Sequence, residues 1–143
     1  MDKKVVLVSH GKLADGVRSA VEMVFGANDA LSSLGLDPSG NVVELIGGLS
    51  GEVAGSPETQ FVVLADIFGG SVCNQCLQQL SAYPNVKMVS GLSLPLALSV
   101  LMLQGPVTDE QLSMAVSEAR EGVRIVEPIV ESDSVNDGAD DFF

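Results

Sequence analysis

Short apolar runs alternate along this chain with stretches of helical periodicity. Residues 3–9, KKVVLVS, are apolar and rich in β-branched side chains, which predicts a buried strand. From Leu13 to Phe25 the apolar positions recur every three or four residues, which predicts a helix that ends at Gly26. The same alternation continues downstream. It predicts strands at 30–36, 61–66, 86–91 and 123–130, and helices at 41–55, 71–80, 94–102 and from the capping box Thr108–Gln111 through Ala119.

Strands that alternate with helices predict an α/β fold, in which a parallel sheet is covered by helices on both faces. We therefore expect a three-layer sandwich with a mainly parallel sheet in the order 2-1-3-4, plus a C-terminal edge strand. In this order strands 1 and 3 are neighbours, and a ligand crevice is expected outside their carboxyl ends. Residues 1–128 are predicted to form one domain, and the acidic residues 129–143 a flexible tail.

Composition narrows the function by exclusion. The 143 residues include only seven Lys and Arg and carry a net charge of −12, which argues against nucleic acid as a partner. The apolar stretch near the N-terminus is too short for a signal peptide, and no small-residue cleavage site follows it. Together with two cysteines and no secretory signal, this predicts a cytoplasmic location.

Residues that could take part in a reaction are predicted to meet at the crevice. His10, the only histidine, directly follows strand 1, and Asp66 ends strand 3. Gly69, Gly70 and Ser71 open the next helix, where backbone amides and a helix N-terminus favour an anion. A carboxylate that accepts one ring N–H leaves the other imidazole nitrogen as nucleophile. The set suits a phosphoryl group carried on histidine, without a metal or an organic cofactor.

Three separated motifs resemble a known family. The segment LVSHGKLADGVRSAVEMVFG, residues 7–26, is similar to the start of the EIIA domains of the mannose/fructose/sorbose family of the bacterial phosphoenolpyruvate-dependent sugar phosphotransferase system. ADIFGGSVCN, residues 65–74, is similar to the second signature of that family, and VSGLSLPLALSVLM, residues 89–102, to its third. The resemblance extends from about Val5 to Val126. Val72 departs from it, because the family commonly has proline there.

This resemblance implies a phosphotransferase component that works as a homodimer, often with a C-terminal strand exchanged between subunits. It implies that His10 accepts phosphate from the phosphocarrier HPr and passes it to an EIIB component, while membrane EIIC and EIID components import sugar. Asp66 is then the residue that holds the ring, and Gly69, Gly70 and Ser71 line the phosphate site. Three residues near the crevice are expected on the partner surface: Phe68, Leu94 and Pro95.

Other functions remain open at this point. Cys73-x-x-Cys76 after a strand is typical of a redox pair, although the same spacing fits two small apolar residues on a helix. A flavodoxin-like cofactor domain uses the same crevice, but this chain has no Trp and one Tyr for stacking. A hydrolase triad of Ser71, His10 and Asp66 lacks a G-x-S-x-G elbow, and one aspartate would have to orient a histidine that serves a serine at a helix start.

Overall fold

The computed structural model describes residues 2–129, which form four strands and five helices in strict alternation until the last two helices. The strands are β1 (Asp2–His10), β2 (Leu31–Leu36), β3 (Thr59–Ala65) and β4 (Val86–Ser90). The helices are α1 (Leu13–Phe25), α2 (Val42–Ala54), α3 (Ser71–Leu80), α4 (Leu94–Met102) and α5 (Asp109–Glu121). The apolar pattern therefore located each of these elements to within a few residues.

The sheet is entirely parallel and has the order β2-β1-β3-β4, as predicted. In the register of the central pair, Val8 of β1 lies opposite Ala65 of β3. The next residues along the two strands are therefore neighbours at the carboxyl edge. This register brings His10, the last residue of β1, beside Asp66, which directly follows β3.

Alternate side chains of the central strands enter two different cores. Val5 and Leu7 of β1 pack with α1, α4 and α5 on one face of the sheet. Val6 and Val8 of the same strand pack with α2 and α3 on the other face. Both faces of the sheet are thus buried over residues 5–9 of β1 and 60–65 of β3, which explains why these stretches are mostly apolar. The expected three-layer sandwich is confirmed.

Side chains cap the helices where the sequence provides them. The capping box predicted at the start of α5 is present, since the Thr108 hydroxyl accepts from the Gln111 amide and the Gln111 side chain accepts from the Thr108 amide. Asn41 and Ser93 cap α2 and α4 in the simpler way, each by accepting one backbone N–H. These caps satisfy donors that a helix start leaves without partners.

The predicted C-terminal edge strand is not formed within residues 2–129. Residues 124–129 have no regular structure, and their side chains are exposed. Without burial, nothing offsets the conformational entropy that ordering the segment as a strand would cost. The outer edge of β4 consequently has no strand beside it in the described part of the chain. The predicted acidic tail, apart from Ile129, lies outside the described residues.

Between residues 2 and 129, none of the helices combines the length and the apolar character that crossing a membrane requires.

Candidate functional site

His10 and Asp66 meet at the carboxyl edge of the sheet, as the topology predicted. Asp66 Oδ2 accepts a hydrogen bond from the His10 backbone amide at 2.8 Å and contacts the ring nitrogen Nδ1 at 2.7 Å. Its other oxygen, Oδ1, accepts from the Ile67 amide at 2.9 Å. The Asp66 side chain is 8% exposed, whereas that of His10 is 48% exposed. The carboxylate is therefore fixed from several directions, and the imidazole that it holds faces solvent.

These contacts determine which ring nitrogen carries the proton. A carboxylate can only accept, so Nδ1 must carry the proton that Oδ2 receives. In the neutral ring Nε2 then bears the free lone pair. Ser71 Oγ lies 3.1 Å from Nε2, and its hydroxyl is the donor in this contact. The neutral ring thus has its lone pair on Nε2, with one hydroxyl already directed at it.

The pKa of Asp66 is lowered in the folded protein. Burial acts in the opposite direction and is the largest single influence on this carboxyl. The His10 amide, the His10 ring with its charge and the Ile67 amide together outweigh burial and stabilise the carboxylate. Asp66 is therefore ionised at neutral pH and remains an acceptor for the histidine ring.

Ser71 is the first residue of α3, and Gly70 is the residue that precedes the helix. The amides of Ser71, Val72 and Cys73 have no carbonyl four residues earlier in the helix, so this end of α3 favours an anion. The Gly70 amide differs, because it donates to the Ile67 carbonyl at 3.3 Å within the preceding turn. Of the predicted phosphate-binding groups, Ser71 is next to the imidazole and the Gly70 amide is already engaged.

The glycine loop approaches the ring closely. A Cβ on Gly70 would lie 3.3 Å from His10 Cε1 and 2.7 Å from Ile67 Cγ2, so a side chain there would press on the imidazole. Asn74 fixes the loop from the helix side, because its Nδ2 donates to the Gly69 carbonyl at 3.1 Å. Asn74 is part of the second motif, but its role in holding the loop was not apparent from the sequence.

The turn after His10 is held in place by residues with a structural role only. Gly11 has a positive φ of 56° and donates its amide to the Leu36 carbonyl of β2 at 2.8 Å. Ser9 is completely buried, and its hydroxyl accepts from the Ala14 amide at 2.8 Å. A Cβ on Gly35 would lie 2.2 Å from the Gly11 carbonyl oxygen. No local pattern distinguishes Gly35 from an ordinary strand glycine, so sequence reasoning missed it.

Exposed apolar side chains are close in sequence to the residues of the site. Phe68 is 80% exposed, and Ile67 and Leu13 are 57% and 50% exposed. Two predicted surface residues lie further along the same edge of the sheet, at the start of α4. Leu94 is half-buried against the core, and Pro95 is exposed. Ile67 and Leu13 adjoin Asp66 and the His10 turn in sequence, and were not predicted as part of the site.

Cys73 and Cys76 are buried free thiols in the core beneath α3. Burial raises the pKa of the Cys76 thiol to about 12, and the nearby Cys73 and Asp66 charges act in the same direction. A redox pair needs an accessible thiolate near neutral pH, which this environment opposes. The cysteines are therefore packing residues, and the alternative of a C-x-x-C redox domain is not favoured.

The fold and the site together define a class of protein: a small parallel α/β domain that presents one carboxylate-oriented imidazole at a helix N-terminus. Comparison with known proteins makes the assignment narrower. The family described as "EIIA-man: PTS system fructose IIA component" matches residues 4–121. The chain belongs to this family, and as a IIA component it is a phosphoryl carrier of a sugar phosphotransferase system.

Individual relatives agree with the family assignment. The chain is 28% identical over 107 residues to the "PTS system sorbose-specific EIIA component" of Klebsiella pneumoniae, covering 75% of this chain and 78% of that protein. It is 27% identical over 123 residues to the "PTS system mannose-specific EIIAB component" of Escherichia coli, covering 84% of this chain. The match extends over 38% of the EIIAB protein, so the chain corresponds to only part of that relative.

Solved structures of similar proteins have the same fold. A PTS IIA protein associated with the fucose utilization operon of Streptococcus pneumoniae has a TM-score of 0.75 at 26% identity, covering 87% of this chain and 93% of that one. A mannose/sorbose specific IIA subunit from Enterococcus faecalis has a TM-score of 0.79 at 23% identity, covering 91% and 98% of the two chains. The second likeness concerns the fold alone.

The lowered pKa of Asp66 predicts an acid-dependent loss of stability. A carboxyl whose pKa is lower in the folded than in the unfolded chain stabilises the fold at neutral pH. That contribution is lost as pH falls below the ordinary aspartate value of about 3.9 and through the folded pKa. Urea unfolding between pH 7 and pH 2.5 measures it. Asp66→Asn removes this part of the pH dependence, whereas Asn at exposed Asp29 is expected to retain it.

Gly35→Ala is expected to displace the His10 turn. Its Cβ would overlap the Gly11 carbonyl, which is backbone and cannot turn aside, so we expect a loss of about 1–3 kcal/mol in the free energy of unfolding. Gly48→Ala is the matched control, because that exposed helical position has nothing within 4 Å of the new Cβ. The control should gain about 0.5–1 kcal/mol. Equal signs for the two variants in urea unfolding would contradict the packing argument.

Proposed function

We propose that His10 Nε2 is the atom that carries the phosphoryl group, that HPr supplies it and that an EIIB component receives it. The observation that carries the proposal is the 2.7 Å contact between Nδ1 and Asp66 Oδ2, which leaves Nε2 as the free nucleophile. The names of the relatives support the choice of partners, since the sorbose and mannose proteins are EIIA and EIIAB components of such systems. The membrane EIIC and EIID components then import the sugar.

The transfer is a substitution at phosphorus between two imidazoles. The Nε2 lone pair forms the new P–N bond while the P–N bond to the donor histidine breaks, and the donor ring leaves with that electron pair. The His10 ring keeps its Nδ1 proton and becomes positively charged, and the Asp66 carboxylate stabilises that charge. Transfer to EIIB reverses these steps. No proton has to leave or enter the site.

Ser71 has two successive partners in this mechanism. In the unphosphorylated protein its hydroxyl donates to Nε2 at 3.1 Å. When Nε2 bonds phosphorus, that lone pair is used, and the hydroxyl is free to donate to a phosphoryl oxygen instead. The amides at the start of α3 point to the same region and favour the negative charge. Ser71 therefore holds the ring in the empty state and the phosphate in the loaded state.

Phosphorylation at one residue tests the proposal. Incubation with phosphoenolpyruvate, enzyme I and HPr is expected to add one phosphate per chain, acid-labile and base-stable, as measured by intact mass. Asp66→Asn should slow the transfer about 10- to 100-fold, because the ring loses the acceptor that orients it. Retention of the phosphate in His10→Ala would contradict the assignment of His10 as the phosphorylated residue.

The apolar residues around His10 form the surface that we propose contacts both phosphoryl partners. Phe68, the most exposed of them, projects from the loop that also carries Asp66. Phe68→Ala should slow transfer from phospho-HPr by raising the concentration needed for half-maximal rate. The control is Met114→Ala on α5, which is 66% exposed and belongs to a different face of the molecule. Equal transfer rates in Phe68→Ala and wild type would remove Phe68 from the surface.

A homodimer with an exchanged C-terminal strand is the assembly that we propose. Two observations support it. The outer edge of β4 has no neighbouring strand within the described residues, and the segment after α5, residues 123–129, has exposed apolar side chains. Val123, Ile125, Val126 and Ile129 are each at least 78% exposed in the single chain. Pairing with the sheet of a second copy would bury these side chains and complete both edges.

Light scattering with size-exclusion chromatography tests the assembly. The full chain is expected to have the mass of two copies, and a chain ending at Gly122 that of one. A variant in which Ile125 and Val126 are both replaced by Ser distinguishes loss of apolar contacts from loss of the whole segment. An unchanged dimer in the shortened chain would exclude strand exchange as its cause.

The proposal is completed by a single domain over residues 1–128 and by a cytoplasmic location. In that location HPr and EIIB both reach the same exposed imidazole. The acidic residues 129–143 are then a segment outside the phosphoryl-carrying domain.

A further inference from the structure

The hydrogen bonds at His10 continue in a chain through three residues. Asp66 Oδ2 lies 2.7 Å from His10 Nδ1, and His10 Nε2 lies 3.1 Å from Ser71 Oγ. Because Nδ1 carries the proton, Nε2 accepts from the serine hydroxyl. This is the order of roles found in acyl-transferring triads: a carboxylate orients an imidazole, and the imidazole is the base for a serine.

The environment of Ser71 also suits a nucleophile. Ser71 is exposed and begins α3 directly after the turn that follows β3, so its hydroxyl stands at a strand-to-helix corner. In α/β hydrolases the amide of the residue after the nucleophile stabilises the oxyanion. Val72 occupies that position, and its amide is one of those without an acceptor inside the helix. One aspartate does orient His10 toward a serine at a helix start, since Asp66 and Ser71 contact the two ring nitrogens at the same time.

We propose that unphosphorylated protein has a second reactivity, in which Ser71 Oγ is acylated or phosphonylated by small uncharged esters with good leaving groups. Oγ attacks the electrophilic carbon or phosphorus, its proton moves to His10 Nε2, and the leaving group departs and takes that proton. Here His10 acts as a base, not as the phosphoryl carrier, so the proposal does not rest on the proposed function.

Two features restrict the substrate class. Phe68 and Cys73, on either side of Ser71 in sequence, line an apolar cavity of about 140 Å³. Neither Ser71 nor His10 lines this cavity, so it does not enclose the reacting atoms, and the ester has to bring a good leaving group of its own. The net charge of −12 repels free anionic reagents in solution, so an uncharged ester reaches Ser71 more readily. Neutral activated esters meet both restrictions.

Labelling with diisopropyl fluorophosphate tests the proposal on the full chain. One diisopropylphosphoryl group is expected per molecule, with loss of fluoride, and peptide mass mapping should locate it at Ser71. His10→Asn and His10→Gln keep Ser71 but remove the base, and should slow labelling at least about 100-fold. Ser117→Ala, at another exposed serine, should label at the wild-type rate.

The outcomes separate the two functions. An adduct on another residue, no adduct at all, or an unchanged rate in both histidine variants would overturn the serine reactivity. Circular dichroism establishes that the variants are folded, so slow labelling is not the result of unfolding. Normal phosphorylation of His10 without an adduct at Ser71 would remove this proposal alone. An adduct without phosphorylation would leave it standing and remove the proposed phosphoryl site.

Discussion

The bond between the Asp66 carboxylate and the His10 ring is the interaction on which the site depends. It fixes the proton on Nδ1, and thereby leaves the lone pair of the neutral ring on Nε2. The protein isolates the carboxylate from solvent while leaving the ring accessible, as their exposures of 8% and 48% show. Burial alone would favour a neutral acid, so the amides of His10 and Ile67 are needed to keep Asp66 ionised.

The architecture explains how two residues far apart in sequence come to share that bond. Parallel strands end at the same edge of a sheet. β1 and β3 are neighbours because the chain adds β2 on one side of β1 and then returns to add β3 on the other side. Each strand is anchored by alternate side chains in two separate cores. Neither strand can slide by one residue without moving every buried side chain to the opposite face, so the cores maintain the register that aligns the site.

Periodicity predicted the elements and the layers, because burial on both faces leaves a clear apolar pattern. The strand order came from the commonest topology of such alternating units, and it is this order that predicted the meeting of His10 with Asp66. The residues that hold the loops of the site in place were not predictable in this way. Gly35 of β2 matters only because the Gly11 carbonyl comes close to its backbone. Asn74 matters only because its side chain donates to the Gly69 carbonyl of the loop. The edge strand at 123–130 was predicted from apolar residues alone, but composition does not specify what a segment pairs with, and 124–129 are exposed and irregular in the single chain.

One carboxylate oxygen, Asp66 Oδ2, accepts from both the main chain and the ring of His10. Rotation of the imidazole would therefore break a contact that the backbone cannot replace. The ring has the same orientation whichever side a reacting group approaches from, and little rearrangement accompanies a change of occupant. A ring held in this way can accept a group and release it without turning. The direction of net flow is then set by the concentrations and free energies of its neighbours, and not by the carrier.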